Sequence, residues 1–225
     1  MAASTHQRTN SGWLEPLERP TLAAIVPRLP TWFTPDILTG IGFAGSLIMF
    51  GAYALSGNNP FWLWVASLGL IVNWLGDSLD GNLARYRKIE RPRYGYFLDQ
   101  AIDLIMQFLL AAGIALSGYI RGDLIFIALS IFLMLSVLTL LRQNINGVFQ
   151  LSYGGIGYTE LRAMLIMLNI LIYFFPPGPL NLLSLEMSYP DWILLTWCLV
   201  AMATFISSMI SDLRRLAIED PPRKR

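Results

Sequence analysis

The chain has 225 residues, of which 55% are hydrophobic and only 14% charged, with a mean hydropathy of +0.52 and a net charge of +1. That composition excludes an ordinary soluble domain, and it excludes a nucleic-acid binder because the basic residues fall in loops and leave no basic face. The single cysteine, Cys198, lies in an apolar run, which excludes a disulfide framework and a cysteine-based zinc site.

The first stretch, Met1 to Arg28, is polar and punctuated by proline, and it lacks the contiguous apolar run of a cleavable signal peptide. The first span is therefore expected to direct insertion. Between Trp13 and Trp32, Leu14, Leu17, Leu22 and Ile25 alternate with Glu15, Glu18, Arg19 and Arg28, the pattern of a short helix lying in the membrane interface. Apolar runs then predict spans at Thr34–Leu55, Phe61–Leu79, Tyr96–Tyr119, Leu124–Leu141, Leu161–Phe175 and Trp192–Ile210. The expected fold is an all-α integral membrane protein with six transmembrane helices. Residues 1–33 form an N-terminal cytoplasmic or interfacial segment, 34–213 one membrane domain, and 214–225 a cytoplasmic tail.

Turn chemistry marks the breaks at Ser56 to Pro60, at Gly118 with Gly122, at Gly154-Gly155 and at Pro176 to Pro179. Fifteen of the sixteen Lys and Arg residues fall in the two tails and the second and fourth loops, and Arg121 alone falls on the other side. Basic residues accumulate on the cytoplasmic side, so both termini are expected there. Trp62, Trp64, Tyr189 and Trp192 end spans on the outer side, where amphipathic rings anchor in the headgroup layer.

The chemistry is concentrated around the second loop. Asp77 and Asp80 stand three apart at the cytoplasmic end of the second span, and Asp99 and Asp103 four apart at the start of the third. Each pair lies on one helix face, and an antiparallel hairpin would bring the pairs together. Four carboxylates close to lipid repel and resist ionisation unless cations supply opposite charge. Hard oxygen ligands favour Mg²⁺, Mn²⁺ or Ca²⁺ over zinc. Small residues flank both pairs: Gly81 follows Asp80, Ala84 is one turn beyond it, and Gly95 is one turn before Asp99. A cleared pocket that holds divalent cations suits a pyrophosphate-bearing substrate, and phosphoryl-type transfer is the leading chemistry.

The run Asp77-Ser-Leu-Asp80-Gly81-Asn-Leu-Ala84-Arg85, followed by Gly95-Tyr-Phe-Leu-Asp99-Gln-Ala-Ile-Asp103, resembles the signature of the CDP-alcohol phosphotransferase family. Nine residues, Tyr86 to Tyr94, separate Arg85 from Gly95, one more than is usual there. Thr34-Pro35-Asp36-Ile37-Leu38-Thr39 is similar to the family's Pro-Asn-x-x-Thr stretch, with Asp36 in place of the asparagine. The resemblance implies two divalent cations, Mg²⁺ or Mn²⁺, held by Asp77, Asp80, Asp99 and Asp103, with Asp103 also the general base. It implies a CDP site bounded by Pro35, Asp36, Thr39, Gly81, Ala84, Arg85 and Gly95. It further implies a homodimer among membrane lipids, with the active site cytoplasmic, and a compact chain of this kind is expected in a bacterial inner membrane.

The expected reaction moves a phosphatidyl or phospho-alcohol group from a CDP-activated donor to an alcohol with release of CMP. CDP-diacylglycerol is the favoured donor, and the alternative is a CDP-choline or CDP-ethanolamine type of donor with a lipid alcohol as acceptor. Arg142, Glu160 and Arg162 flank the fourth loop and read either as a helix cap with an ion pair or as an acceptor pocket. Only two arginines there slightly favours a less anionic acceptor. A divalent-cation transporter also explains four aspartates, but it leaves Gly81, Ala84 and Gly95 unmotivated and finds no internal repeat.

Overall fold

Thr34 is extended and its hydroxyl accepts the amide of Ile37 at 3.2 Å, while Pro35 occupies the first helical position, so the first long helix starts where a cap and a proline start one. A computed structural model of the protein describes residues 7–9, 13–146, 148–150, 157–182 and 185–221. In chain order these are β1 (Gln7–Thr9), α1 (Glu15–Ile25), α2 (Pro35–Ser56), α3 (Trp62–Arg87), α4 (Pro92–Ser117), α5 (Gly122–Asn146), β2 (Val148–Gln150), α6 (Tyr158–Phe174), β3 (Leu180–Leu182), β4 (Leu185–Met187) and α7 (Tyr189–Glu219). Among the described residues the architecture is a helical bundle with two small strand pairs.

Among the described residues five helices, α2, α3, α4, α5 and α7, are long and apolar enough to cross a membrane. The expected span Leu161–Phe175 is the 17-residue helix α6, about 26 Å long at 1.5 Å per residue and so short of a 30 Å hydrocarbon layer. Helices α3 and α7 outrun their expected spans: α3 continues through both aspartates to Arg87, and α7 continues to Glu219. Hydropathy ends a span where charge begins, whereas the hydrogen-bonded helix goes on. The helix α3 stops at Lys88, whose φ of 57° is left-handed, and α4 stops at Gly118 with φ 75°.

Helix α2 packs along α3 and α4, α6 packs on α3, and α5 joins α4 and α7. The α2–α3 crossing is close because glycines meet backbone. A Cβ on Gly76 would stand 2.4 Å from the Gly42 amide nitrogen, and one on Gly45 would stand 2.6 Å from that of Asn73. Small residues let helix backbones approach in lipid, where van der Waals packing drives association. Polar groups join three helices further along: Tyr53 donates to Asn169 Oδ1 at 3.0 Å, and Asn169 Nδ2 donates to Ser67 at 3.0 Å.

A helix, α1, forms within the segment Trp13 to Trp32. Its Leu22, with Val26 in the turn that follows, packs against Leu38, Leu79 and Leu83 on α2 and α3. The two strand pairs were not expected. One is the parallel pair of β1 with β2, Gln7 opposite Val148, and the other is the hairpin of β3 with β4, Leu180 opposite Met187. Gly154-Gly155 lies outside the described residues, while the breaks at 57–61, 118–121 and 175–179 fall where expected.

Candidate active site

Because α3 runs unbroken past Asp80 and α4 begins at Pro92, the two aspartate pairs are carried on rigid helices facing each other across the α3–α4 turn. Asp77, Asp80, Asp99 and Asp103 line one cavity together with Thr39, Gly42, Asn73 and Ile102. The spacing argument therefore holds for all four carboxylates, and the third wall comes from α2.

The described partners of these aspartates are spread over four helices, and two of the partners are chain neighbours of their aspartate on the same helix. Thr39, four residues into α2, donates its hydroxyl to Asp80 Oδ2 at 2.6 Å. The Gly81 amide meets the other oxygen, Asp80 Oδ1, at 2.5 Å. Asp77 is paired with Arg162 of α6, Nη2 to Oδ2 at 2.9 Å, and the Arg162 side chain is only 5% exposed. A guanidinium placed at that depth offsets carboxylate charge that lipid would otherwise disfavour. Gln100 Nε2 donates to Asp99 at 3.3 Å.

The remaining expected residues divide. Pro35 opens α2, while Asp36 at its N-terminus is paired with Arg91 from the α3–α4 turn, and Arg91 also lies over the Tyr94 ring at 4.1 Å. Arg85 donates to Asn82 at 3.1 Å beside Gly81, where a Cβ would meet that guanidinium at 3.4 Å. Ala84 closes the helix end, accepting the Ile89 amide at 3.0 Å, and a Cβ on Gly95 would meet nothing within 4 Å. Of the three residues expected around an acceptor, the structure brings only Arg162 onto the aspartates. Arg142 is held by Asp212 of α7, Nε to Oδ2 at 2.5 Å, and also donates to the Ser208 carbonyl. Glu160 is buried, with 2% exposure, and accepts two amides, from Gly157 at 2.8 Å and from Leu14 at 2.9 Å. It caps α6 and ties the N-terminal segment to it.

Two further side chains, which the sequence offered only as interfacial or loop charges, fasten this region. Glu18 on α1 accepts from Trp74 Nε1 at 3.1 Å, from Ser78 at 3.0 Å and from Thr159 at 3.2 Å, so one carboxylate links α1, α3 and α6 beside Asp77. Arg87, at the end of α3, donates to the carbonyls of Leu29, Pro30, Thr31 and Phe33. It thereby fixes the turn that leads into Thr34 and α2. No sequence motif marks either one, because both act across more than fifty residues.

A divalent cation fits the chemistry of this donor set, which consists of oxygen ligands. Asn73 lines the same cavity, and its Oδ1 is buried without a hydrogen-bond partner among the described residues. As the side chains now stand, Asp77 is turned to Arg162 and Asp80 to Thr39, and no three acidic, histidine or cysteine side chains among the described residues close into a ligand set. Arg162 takes one oxygen of Asp77, and Thr39 and Gly81 take one lone pair on each oxygen of Asp80, so both carboxylates keep lone pairs to offer an ion.

The model of the CDP-alcohol phosphatidyltransferase family matches residues 32–207, which takes in the cavity and most of the chain. The chain belongs to that family. It is 36% identical to an archaetidylinositol phosphate synthase of Pyrococcus horikoshii over 117 residues, 51% of this chain and 56% of that protein. It is 26% identical to cholinephosphotransferase 1 of Gallus gallus over 183 residues, 75% of this chain and 52% of that protein. It is 37% identical to a phosphatidylinositol phosphate synthase of Cutibacterium acnes over 84 residues, 37% of this chain and 38% of that protein. The chain spans about half, or less, of the length of these relatives.

Proposed function

We propose that the protein is a membrane enzyme of phospholipid synthesis that transfers a phosphatidyl group from CDP-diacylglycerol to the hydroxyl of an alcohol and releases CMP. The observation that carries this reading is the set of four aspartates, all lining one cavity inside a matched family domain. Two of the three relatives are named for making a phosphorylated inositol lipid, which favours the lipid on the donor. The cholinephosphotransferase is the relative that speaks for the reverse arrangement.

Asp77, Asp80, Asp99 and Asp103 would hold two divalent cations, Mg²⁺ or Mn²⁺. When bound, those ions supply the charge that screens the carboxylates and stabilises a pyrophosphate being cleaved. Thr39 orients Asp80, and Arg162 orients Asp77, so neither carboxylate rotates freely. Pro35, Asp36, Gly81, Ala84, Arg85 and Gly95 border the side from which the cytidine end enters. Asp103 takes the proton of the acceptor hydroxyl. The resulting oxygen attacks the phosphorus that bears the diacylglycerol, a new P–O bond forms, and the P–O bond to CMP breaks. Arg142 and Glu160 stay outside this chemistry, Arg142 holding α5 to α7 through Asp212 and Glu160 capping α6. Six spans, with α6 as the short one, put both termini and the aspartates on the cytoplasmic side; the pairing into homodimers is part of the same reading.

The test is CMP release by the purified protein with CDP-diacylglycerol, Mg²⁺ or Mn²⁺, and a panel of alcohols. Asp103→Asn should lower the rate by at least about a hundredfold, the scale of a lost general base. Undiminished release from that variant would overturn the mechanism. No release from the unaltered protein with any donor would overturn the function.

A further inference from the structure

One helical turn beyond Asp103, on the same face of α4, lies Gln107. Its Nε2 donates to the Tyr158 hydroxyl at 2.9 Å, and Tyr158 in turn lies beside Arg162, with the guanidinium carbon 6.0 Å from the ring centre. Arg162 reaches Asp77 through Nη2. A continuous line of polar side chains thus runs from the aspartate cavity into the bundle, through Arg162, Tyr158 and Gln107. Nothing in the transfer chemistry derived above uses its inner end.

Two atoms on this line have no partner among the described residues: Gln107 Oε1 and Arg162 Nε. Both residues are deeply buried, with 4% exposure each. One atom is an acceptor and the other a donor. Leaving such groups unpaired away from water is costly, so a matched pair flanking one tyrosine calls for an occupant. A hydroxyl both donates and accepts, and it complements that pair; an acyl chain or a quaternary ammonium offers neither function.

We propose that Gln107 and Tyr158, together with Arg162 Nε, form the subsite that binds a second hydroxyl of the acceptor. The acceptor is then a small polyhydroxylated alcohol rather than a lipid alcohol. The inference rests on the transfer reaction proposed above and deepens it. The attacking hydroxyl must reach Asp103, and Gln107 is displaced from it by about 6 Å along the helix axis. A molecule that engages both places carries a second oxygen several ångströms from the first, as polyols do. In diacylglycerol the two other oxygens are esterified and carry acyl chains, which belong in lipid rather than on a buried amide. The single guanidinium is already paired with Asp77, so this end of the site reads hydroxyl groups rather than a strong anion.

The experiment measures CMP release by the full-length protein with CDP-diacylglycerol against glycerol, glycerol 3-phosphate, myo-inositol and myo-inositol 1-phosphate, and with CDP-choline against diacylglycerol. The best acceptor is then titrated with Gln107→Leu and Tyr158→Phe. The expected result is that a polyol is used, and that Gln107→Leu raises its KM by about tenfold. The KM of CDP-diacylglycerol should stay within twofold and kcat within threefold, with Tyr158→Phe giving a smaller shift of the same kind. The split matters, because a merely structural role would move both constants, or stability, without selecting the acceptor. Gln107→Glu, which keeps the acceptor oxygens, should restore part of the affinity.

An unchanged acceptor KM in both variants, as a buried water alone would give, overturns the inference while leaving the transfer reaction intact. Turnover of diacylglycerol with CDP-choline and of no polyol overturns the inference and, with it, CDP-diacylglycerol as the donor. If Gln107→Leu does not fold, Tyr158→Phe decides alone. Absence of CMP with every pair overturns the reaction and the inference together.

Discussion

Replacing Gly76 with alanine should damage the site without touching it. A Cβ at this position would lie 2.4 Å from the Gly42 nitrogen, 2.5 Å from the Gly42 Cα and 2.6 Å from the Leu38 carbonyl oxygen. All three are backbone atoms of α2, so no side-chain rotation relieves the clash. Restoring ordinary contact near 3.4 Å requires α2 to withdraw from α3 by about 1 Å. Thr39 rides on α2 and holds Asp80 of α3 at 2.6 Å, so the same shift stretches that contact to about 3.6 Å, beyond hydrogen-bond reach. Overpacking of this kind costs about 1–3 kcal/mol, and a displacement of this size at a reacting centre costs up to about a hundredfold in rate. The expected outcome is a lower melting midpoint in detergent and CMP release reduced by about ten- to a hundredfold. Gly40→Ala is the control, because a Cβ there meets nothing within 4 Å. If Gly76→Ala keeps a rate within threefold of the unaltered protein and an unchanged midpoint, the idea that the glycine contact sets the cavity is wrong.

Thr39→Val removes the donor to Asp80 at nearly constant volume; a hydrogen bond to a charged group is worth about 1.5–3 kcal/mol, so kcat/KM should fall at least about tenfold with folding intact, measured by CMP release and thermal denaturation. Glu18→Ala strands the Trp74, Ser78 and Thr159 donors and should loosen α1, seen as faster proteolysis of the N-terminal segment and a lowered midpoint, while membrane insertion persists. Asn169→Leu breaks both bonds of the Tyr53–Asn169–Ser67 chain; at about 0.6 kcal/mol per bond in lipid it should cost about 1 kcal/mol of stability and leave CMP release unchanged, because none of the three residues lines the cavity.

What the sequence made legible, and what it hid, follow from the range of each interaction. The aspartate pairs could be read because their signal is local. Spacings of three and four put Asp77 with Asp80, and Asp99 with Asp103, on single helix faces, and the short turn between α3 and α4 leaves little choice but to bring the faces together. The helices were legible for the same reason, since a continuous apolar run signals itself. Their ends were not: α3 extends eight residues past the expected Leu79, because its final turns are held by backbone bonds and a left-handed Lys88 that hydropathy does not see. Helix α6 starts three residues before the expected Leu161 and still falls short of a full span, because Pro176-Pro177 follow its end.

The contacts that hold the carboxylates in place were of the opposite kind. Arg162 meets Asp77 across eighty-five residues, and Glu160 meets Leu14 across one hundred and forty-six. At the level of sequence both looked like charges flanking a loop, equally suited to a cap, a surface pair or an acceptor. Burial separates these readings: a carboxylate with two backbone amides on it and 2% exposure is committed to structure, whereas a buried guanidinium with one nitrogen on Asp77 and another unpaired still has a donor to offer. An acidic cluster near lipid needs positive charge that is fixed in position. Here a guanidinium from α6 supplies one such charge on Asp77, while Arg85 lies beside Gly81 and Arg91 is paired with Asp36 near the turn between α3 and α4. On the proposed reaction, that asymmetry assigns the inner wall to the acceptor and the outer rim to the nucleotide, so substitutions at Gln107 and at Asp36 should be separable in their effects on the two substrates.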